Sequence, residues 1–406
     1  MKFRTQVAAL QGLVSKLILA ITTKPHLELS TIGILEHFLF TVSNGKLTAV
    51  GMDGELAIKS SIDIDVMEEG EILIPAKKMH DVVRVLNAND DAEFTLNDMD
   101  VTITSGQSKY LLRAMDTDMY NEVPDALNAE KPDIENLTEE NTLIKKAKIQ
   151  NLAEKTYFAT ANDKNEHRLN LNGVLLQFRG TYINAVATDS FRLVRQTEFA
   201  DETEFFNDVN IVVPLRTIEI LRKVDEDVIL SIKQENDKQQ YLRIDVGDTV
   251  ILSLLIDFNF PNYESIIPVT SNIDVELDIT DFLNALKKVA PFAFVSRQSK
   301  LEDRYCSLTM SPSKMVITTK NEELGESAES SLPIEFIDRT EDSAYSDGFT
   351  ASFKIKYLEE FFQNITPNDT TDNIAKMHFT EPTKSVLIRP KSEQDVLTMI
   401  VMPVRV

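Results

Sequence analysis

The sequence predicts an α+β protein made of three similar units, each combining antiparallel strands with two helices. The first observation is a short amphipathic helical pattern that begins at Ile74, Val213 and Phe353, at intervals of 139 and 140 residues. The second is another helical pattern that begins near residues 4, 144 and 280. Nearly equal spacing over such a distance is typical of a repeated domain. The alternative is three unrelated surface helices, the interpretation that a single copy would favour.

The first helical pattern is clearest between Val213 and Val224. Pro214 stands where the helix would begin, a position at which its fixed φ angle and missing N–H cost nothing. Apolar residues then recur at three- and four-residue steps, as on the buried face of an amphipathic helix. The apolar faces of the three copies are predicted to be Leu215, Ile218, Leu221 and Val224; Met79, Val82, Val83 and Leu86; and Leu358, Phe361, Phe362 and Ile365.

The first unit is predicted to run in the order helix, strands, helix, strands. Its first helix spans 4–20, where apolar residues recur at helical spacing. A hairpin follows at Ser43–Lys46, because Asn-Gly strongly favours a two-residue turn. The remaining elements are strands 34–41, 46–51, 55–65 and 70–74, a helix at 75–86, and strands 92–96, 101–105 and 109–114.

Residues 115–141 separate the first two units. Acidic side chains crowd this stretch around Pro124 and Pro132, which predicts a linker with a mobile loop. The second unit is predicted to contain a helix at 144–155, strands 169–179, 182–188 and 209–213, the helix at 213–224, and strands 228–233, 241–246 and 250–255. The third is predicted to contain helices 280–292 and 356–365, strands around 311–314, and strands 374–380, 384–390 and 396–402. The predicted domains are therefore 1–125, 126–270 and 271–406.

Composition narrows the class of protein. No run approaches the ~18 apolar residues that a membrane-spanning helix needs. Residues 7–21 are interrupted by Gln11, Ser15 and Lys16, which favours an amphipathic helix over a signal peptide. The single Cys306 excludes an intramolecular disulfide framework and is typical of a reducing cytoplasm. With one cysteine and five scattered histidines, we expect no metal site, and no motif indicates a cofactor.

Charge is distributed unevenly along the chain. The formal charge is −23, which by itself disfavours nucleic acid as a partner, because phosphate binding needs Lys and Arg. The six helical stretches, however, carry 18 Lys and Arg against six Asp and Glu. If the helices share one surface, that surface would hold a polyanion through its phosphates without reading its bases. The alternative is that amphipathic helices merely place lysines on their solvated faces.

Three arrangements resemble parts of enzyme sites, and each is weak. Asp189 with Arg192 has the residue types of a catalytic pair, but an Asp at a strand end is more often a turn residue. Residues 106–109 lack the first glycine and the final Ser or Thr of a phosphate-binding loop. The histidines at 80, 167 and 378 lie in three different units. A repeated-domain enzyme acting on an anionic substrate, and an interaction scaffold that does not bind DNA, are the alternatives to the function inferred next.

An ordered series of motifs resembles one family. The motifs are LNLNGVLL at 169–176, VATDSFRL at 186–193, IVVP at 211–214, VGD at 246–248, FPNYESIIP at 260–268 and VMPVRV at 401–406. In this order and spacing they resemble the bacterial DNA polymerase III beta subunit family, the DNA sliding clamps, over essentially the whole chain. The resemblance implies three clamp domains per chain and a head-to-tail homodimer that closes a ring, with helices inside and sheets outside. It implies a processivity factor without catalysis of its own.

The resemblance also implies sequence-independent contact with double-stranded DNA through basic residues near the channel. Asn165 corresponds to a loop that touches DNA in relatives. At residues 169 and 170, Leu and Asn replace a pair of aromatic residues, which removes rings that would stack on single-stranded template. The implied DNA-binding residues are Lys24, Lys77, Asn165, Arg168 and Arg216.

A cleft for partner peptides is implied between the second and third units, where DNA polymerase and the clamp loader would bind. An apolar pocket with a few polar groups suits short motifs that carry Leu and Phe. Ser190 and Phe191 replace the usual Gly-His, and Val406 replaces the usual Leu, so we expect a different ligand preference. The alternative for Phe191 and Leu193 is a strand end packed into the core. The implied residues are Leu171, Thr188, Ser190, Phe191, Arg192, Leu193, Pro261, Ile266, Val386, Val401, Met402, Pro403, Val404, Arg405 and Val406.

The resemblance finally implies a dimer contact between the first unit of one chain and the third unit of its partner. A head-to-tail contact that closes after two subunits gives a C2 dimer with two equal interfaces. The implied residues are Lys109 and Tyr110 on one side, and Phe292, Phe294, Glu322, Glu323 and Glu326 on the other.

Overall fold

Antiparallel strands dominate the computed structural model of the protein. It describes residues 1–21, 35–120, 123–133, 137, 141–161, 166–201, 206–236, 239–257, 259–293, 304–321, 324–365 and 373–405, with their side chains except those of residues 119, 166–168, 206, 234–236 and 239. The α-helices are α1 Val7–Leu17, α2 Ala76–Val85, α3 Asp125–Asn128, α4 Lys146–Glu154, α5 Leu215–Leu221, α6 Ile279–Val289 and α7 Ile355–Ile365.

The strands alternate with these helices along the chain. They are β1 Lys2–Gln6, β2 His37–Ser43, β3 Lys46–Met52, β4 Leu56–Asp63, β5 Asp65–Glu68, β6 Gly70–Pro75, β7 Asp91–Asn97, β8 Asp100–Ser105, β9 Ser108–Arg113, β10 Asn141–Ile144, β11 Gly173–Gly180, β12 Tyr182–Thr188, β13 Arg192–Phe199, β14 Phe206–Pro214, β15 Val228–Asn236, β16 Gln239–Val246, β17 Thr249–Leu254, β18 Ile273–Asp278, β19 Tyr305–Ser311, β20 Lys314–Asn321, β21 Glu326–Pro333, β22 Glu335–Asp338, β23 Phe349–Lys354, β24 Ile374–Phe379, β25 Val386–Pro390 and β26 Leu397–Val401.

Four antiparallel sheets collect the strands of the described ranges. Their strand orders are β5-β1-β7-β8-β9, β10-β15-β16-β17-β4-β3-β2-β6, β14-β11-β12-β13-β26-β25-β24-β18-β22 and β21-β20-β19-β23. Mixed helices and antiparallel sheets of this kind confirm the predicted α+β fold class.

The chain forms two compact units, residues 1–147 with 224–255, and residues 148–223 with 256–406. These units differ from the predicted domains because each large sheet joins strands of successive repeats. In the first unit β4 pairs with β17, and in the second β13 pairs with β26. The division into domains at 1–125, 126–270 and 271–406 stays a prediction.

Several predicted elements are confirmed in place. All six predicted helices are present, and each buries an apolar face; in α2, for example, Met79 and Val83 are buried. The predicted Asn-Gly hairpin joins β2 to β3, and both Asn44 and Gly45 have positive φ angles, of 51° and 76°. Positive φ at both central positions is what the favoured two-residue hairpin turn requires.

Two predictions about element bounds were wrong, and several strands were not predicted. The first helix does not begin at residue 4, because residues 2–6 form β1, whose Phe3 is buried and stacks on Phe94. The strand predicted from residue 169 begins at Gly173, since residues 166–171 form a 3-10 helix. The strands that were not predicted are β10, β13, β18, β21, β22 and β23. In β13 the sequence mixes charged and apolar residues without strict alternation.

The acidic stretch at 115–141 is not simply a linker in its described part. Leu127 of α3 is 1% exposed and packs into an apolar cluster with residues of β3, β4 and β17. The buried Arg243 on β16 donates to the carbonyl oxygens of Ala126 at 2.6 Å and Glu130 at 3.3 Å. Both oxygens of Asp245 accept from the same guanidinium, at 2.7 and 2.8 Å. Burial and hydrogen bonds therefore hold residues 126–130 against the strands of the first compact unit, which comprises residues 1–147 and 224–255.

Candidate functional site

The turn between β12 and β13 is held by its own side chains. Asp189 Oδ1 accepts the backbone N–H groups of Phe191 and Arg192, both at 2.9 Å. The Thr188 hydroxyl accepts from the N–H of Ser190 at 3.1 Å and donates to the carbonyl of Arg192 at 2.6 Å. Ser190 has a φ of +79°, a conformation that glycine adopts at less cost. This geometry leaves the Phe191 ring 54% exposed at the tip of the turn.

Arg192 is a buried structural anchor. Its guanidinium donates to Asp189 Oδ2 at 3.1 Å, to Glu360 Oε2 at 2.5 Å and to the carbonyl of Phe158. It also lies over the Tyr357 ring, 4.5 Å from the centroid. Burial, and then the nearby Asp189, raise the pKa of the Tyr357 hydroxyl above its ordinary value. Asp189 and Arg192 are thus a turn residue and its anchor, which agrees with the structural alternative to a catalytic pair.

An apolar cluster lies directly behind this turn. Leu193 on β13 packs with Leu387 on β25, Ile400 on β26 and Tyr263, all of which are buried. The Tyr263 hydroxyl donates to Gln177 Oε1 at 2.9 Å, which fixes the 3-10 segment Tyr263–Ile266 against the sheet. The half-buried Ile256, Phe260 and Ile267 pack against the cluster. These residues together form an apolar surface, and the 3-10 segment Tyr263–Ile266 packs against it.

The C-terminal tail passes the tip of the turn. Val401 ends β26 opposite Arg192, and the next N–H, of Met402, donates to the carbonyl of Phe191 at 2.8 Å. Further along, the N–H of Val404 donates to the carbonyl of Ser352 at 2.7 Å. The Met402 side chain is 45% exposed, so the tail presents an apolar side chain next to the exposed ring.

The predicted cleft residues divide by exposure. Leu171, Thr188, Arg192, Leu193, Val386 and Val401 are buried, Pro403 and Val404 are half-buried, and Ser190, Phe191, Pro261, Ile266, Met402 and Arg405 are exposed. Val406 lies outside the described residues. Pairing and hydrogen bonds bring residues 188–193, 386 and 401–402 together directly. The buried members form the support, and the exposed ones are available to a ligand.

Sequence reasoning missed two residues at this site, Lys354 and Tyr357. The Lys354 ammonium lies over both the Phe191 ring, at 5.8 Å, and the Tyr357 ring, at 5.6 Å. Both residues follow Phe353 in a stretch whose periodicity predicts only an amphipathic helix. Nothing in that pattern indicates a contact with a turn more than 160 residues away, so no local signal could have found them.

The predicted DNA-binding residues are only partly described. Lys77 is exposed in the first turn of α2, beside the exposed Lys78 and near Arg84 on the same helix. Arg216 is half-buried in the first turn of α5. Lys24 and Asn165 lie outside the described residues, and so does the Arg168 side chain.

Three of the predicted dimer residues lie on strands at the ends of their sheets. Lys109 and the half-buried Tyr110 are on β9, the last strand of the five-stranded sheet. Glu326 begins β21, the last strand of the four-stranded sheet, and its side chain is exposed. Phe292 is 42% exposed. Phe294, Glu322 and Glu323 lie outside the described residues.

Among the described residues, no group of three or more His, Cys, Asp or Glu is placed to hold a metal ion. In the same ranges, no helix is long and apolar enough to cross a membrane.

Comparison with known proteins places the chain in one family. The model for the N-terminal domain of the DNA polymerase III beta subunit matches residues 1–124, and the model for its central domain matches residues 143–262. The beta sliding clamp of Chlamydia trachomatis is 25% identical over 360 residues, which cover 88% of this chain and 80% of that protein. The beta sliding clamp of Vibrio cholerae is 25% identical over 383 residues, 93% of each chain.

Solved structures agree in fold. The crystal structure of the DNA polymerase III beta subunit from Thermotoga maritima has a TM-score of 0.81 at 20% identity, covering 100% of this chain and 99% of that one. A sliding clamp from Bartonella birtlesii bound to griselimycin also has a TM-score of 0.81, at 20% identity. With both family models together matching more than half of its length, the chain belongs to the DNA polymerase III beta subunit family, the beta sliding clamps.

Proposed function

We propose that two copies of this chain assemble head to tail around duplex DNA and tether DNA polymerase and the clamp loader through the Phe191 cleft. The family consists of non-catalytic processivity factors, so the work of the molecule is binding. The proposal rests on a pattern of strand pairing that recurs at two junctions between repeats. Among the described residues, β9 and β21 end their sheets and lack the partner that this pattern predicts for them.

The rule concerns the third strand after the first helix of each repeat. These strands are β4, β13 and β21. Ala57, Leu193 and Ser327 hold equivalent places on them, because each pairs with the seventh residue of the preceding strand, which begins after a two-residue hairpin loop in all three repeats. Ala57 pairs with Leu252 on β17, and Leu193 pairs with Ile400 on β26. In both junctions, therefore, the third strand of one repeat pairs with the last strand of the next repeat.

The same rule assigns a partner to Ser327. Leu252 lies three residues beyond Thr249, which begins β17 after a two-residue hairpin loop. Ser108 begins β9 after a hairpin loop of the same length, so Leu111 is the equivalent of Leu252. Since β9 and β21 both end their sheets within the described part of the chain, a second copy can supply the missing partner to each. The expected register sets Ser327 opposite Leu111.

This register is chemically complementary. Side chains two residues apart share a strand face, so Lys109, Leu111 and Arg113 would lie opposite Glu329, Ser327 and Gly325 of the partner, respectively. Lys109 and Glu329 are both exposed and carry opposite charges. Pairing would also remove two open edges, which are a liability for an isolated chain.

The charge pattern supports DNA as the encircled partner. Lys77 and Arg216 stand in the first turns of α2 and α5, while the whole chain carries −23. Basic side chains on the helices would make phosphate contacts that are independent of sequence. An acidic body would discourage tight capture elsewhere, which suits a protein that must slide.

Mass measurement by light scattering at micromolar concentration and near-physiological salt is the first test, and a mass of two chains is expected. The protein should then remain with circular DNA through gel filtration and leave it when the DNA is linearised. A strict monomer would contradict the autonomous dimer. A dimer that leaves both DNA forms equally would favour the scaffold alternative.

A further inference from the structure

Two half-buried arginines lie on one face of the nine-stranded sheet with a single residue between them. Arg195 on β13 pairs with Thr398 on β26. The register of β25 with β26 sets Arg389 on the other side of Thr398, and the Arg389 Nε–H donates to the Thr398 hydroxyl at 3.2 Å. Directly paired residues of antiparallel strands share a face, and two strand spacings amount to about 10 Å. Two long side chains can close that gap around one small ligand.

Neither arginine has its charge neutralised within the described part of the chain. The Nε–H of Arg195 is buried there without a hydrogen-bond acceptor, and no described carboxylate forms an ion pair with either guanidinium. Burial, and next the charge of Arg195, lower the pKa of the Arg389 guanidinium, while the exposed Asp395 acts on it more weakly in the opposite direction. An unpaired buried donor and two neighbouring like charges are both unfavourable.

Other cations on equivalent or adjacent positions do have partners. Lys376, next to Arg389 on β24, pairs with Glu276 at 2.6 Å. In the first compact unit, the strand pairing sets Lys59 and Asp245 in the places that the two arginines hold in the second. The Lys59 ammonium donates to Asn128 Oδ1 at 2.8 Å.

The second unit thus differs from the first in a definite way. It has arginine where the first unit has aspartate, and its other cation lacks the oxygen acceptor that Lys59 has. A bound anion would supply both the missing negative charge and the missing acceptor.

We propose that Arg195 and Arg389 form a binding site for the phosphate group of a small molecule. Guanidinium donors match the oxygens of phosphate in geometry. A phosphate group carries a charge of about −1.5 to −2 at pH 7 and would balance both arginines, whereas a carboxylate would balance one. The chain as a whole carries −23 and repels anions, so local arginines are needed to attract one. Neither DNA nor a partner peptide is required for this binding.

The test is isothermal titration calorimetry of the full chain with inorganic phosphate, in chloride buffer at constant ionic strength. We expect one phosphate per chain with a dissociation constant on the order of 1 mM. Arg195→Gln and Arg389→Gln should each weaken this binding by roughly 10-fold. Acetate, the carboxylate probe, should bind the wild-type chain roughly 10-fold more weakly than phosphate does.

Arg179→Gln is the matched control, because Arg179 is a half-buried arginine on β11 of the same sheet whose guanidinium donates to the Phe178 carbonyl at 2.5 Å. It should keep the wild-type affinity for phosphate. A second readout is thermal unfolding, since a ligand of the folded state raises the unfolding temperature. Phosphate should raise it more for the wild type and Arg179→Gln than for the other two variants.

Three results would overturn the proposal. The first is a wild-type chain that takes up no phosphate. The second is phosphate binding that Arg195→Gln and Arg389→Gln leave unchanged, which would show an adventitious ion only. The third is acetate binding as tight as that of phosphate, which would show that the site does not select a doubly charged anion.

Discussion

Two buried arginines show what single residues do in this fold. Arg192 joins the β12–β13 turn to α7, and Arg243 joins β16 to the segment around α3. Arg192 was predicted as a site residue because it belongs to a motif that resembles a family. Arg243 was not, since an arginine in a strand reads as solvent-facing, and its carbonyl partners lie 117 and 113 residues away. A sequence shows residue types, whereas burial of a charge depends on which distant groups surround it.

Arg243→Met should destabilise the first compact unit by about 3–5 kcal/mol, because it leaves the buried Asp245 carboxylate without its partner. The free energy of urea unfolding is the measurement. Arg4→Met is the control, since it removes an ion pair that is about half exposed at both ends and should cost less than about 1 kcal/mol. Equal losses in the two variants would show that the Arg243 contacts do not hold the segment.

Glu198 should make stability depend on pH. Burial raises the pKa of the Glu198 carboxyl. Asn151 donates to this carboxyl at 2.5 Å and Gln196 at 3.4 Å, and these hydrogen bonds lower the pKa by less than burial raises it. The folded state therefore holds the proton more tightly than the unfolded state, and stability is lost as pH rises from the unfolded pKa through the folded one. Glu198→Gln stays neutral, so it should gain on the wild type between pH 5 and pH 8. The measurement is the free energy of unfolding of both proteins at pH 5 and at pH 8. A difference between the two proteins that is the same at both pH values would contradict the prediction.

At the scale of elements, local signals predicted most helices and hairpins, and pairing between distant strands was beyond them. The Asn44-Gly45 turn follows from the chemistry of two residues. Strand β13 was missed because its buried positions depend on pairing with β12 and β26 rather than on its own alternation. In the cleft, likewise, the motif at 186–193 was visible in sequence, but the Lys354 contact came only with the fold.

The proposed edge pairing makes a charge-swap prediction. Glu329→Lys should weaken the dimer, because it sets a second basic side chain opposite Lys109. Combining it with Lys109→Glu should restore association. Sedimentation velocity over a range of micromolar concentrations reports both changes.

Glu326→Lys is the matched control for this register. Glu326 lies on the other face of β21, where Tyr110 and Leu112 would be its neighbours and that face of β9 carries no basic residue. It should weaken the dimer less than Glu329→Lys does. If the two substitutions act alike, the strands pair in a different register or do not pair.

At the scale of the whole molecule, the notable feature is an acidic chain whose basic residues concentrate in its helical stretches. The sequence alone predicted that distribution, because charge can be counted along amphipathic patterns. It could not predict how the repeats join, since a strand edge carries no label for its partner. The two junctions with the same register, β4 with β17 and β13 with β26, supply that information. In the proposed assembly, ring closure and DNA contact would be separate properties, with separate experimental signatures.

If ring closure and DNA contact are separate properties, the same substitutions should affect binding to linear DNA and retention on circular DNA differently. Lys77→Ala with Arg216→Ala should weaken binding to a short linear duplex and reduce the salt dependence of that binding by roughly one unit of slope per residue. Retention on circular DNA at high salt should not change, because a closed ring is held by topology rather than by phosphate contacts. Lys314→Ala with Lys384→Ala, exposed residues outside the helices, is the control and should alter neither. If the helix variant is lost from circular DNA at the same salt at which it leaves the linear duplex, retention is electrostatic and the encircling mechanism is wrong.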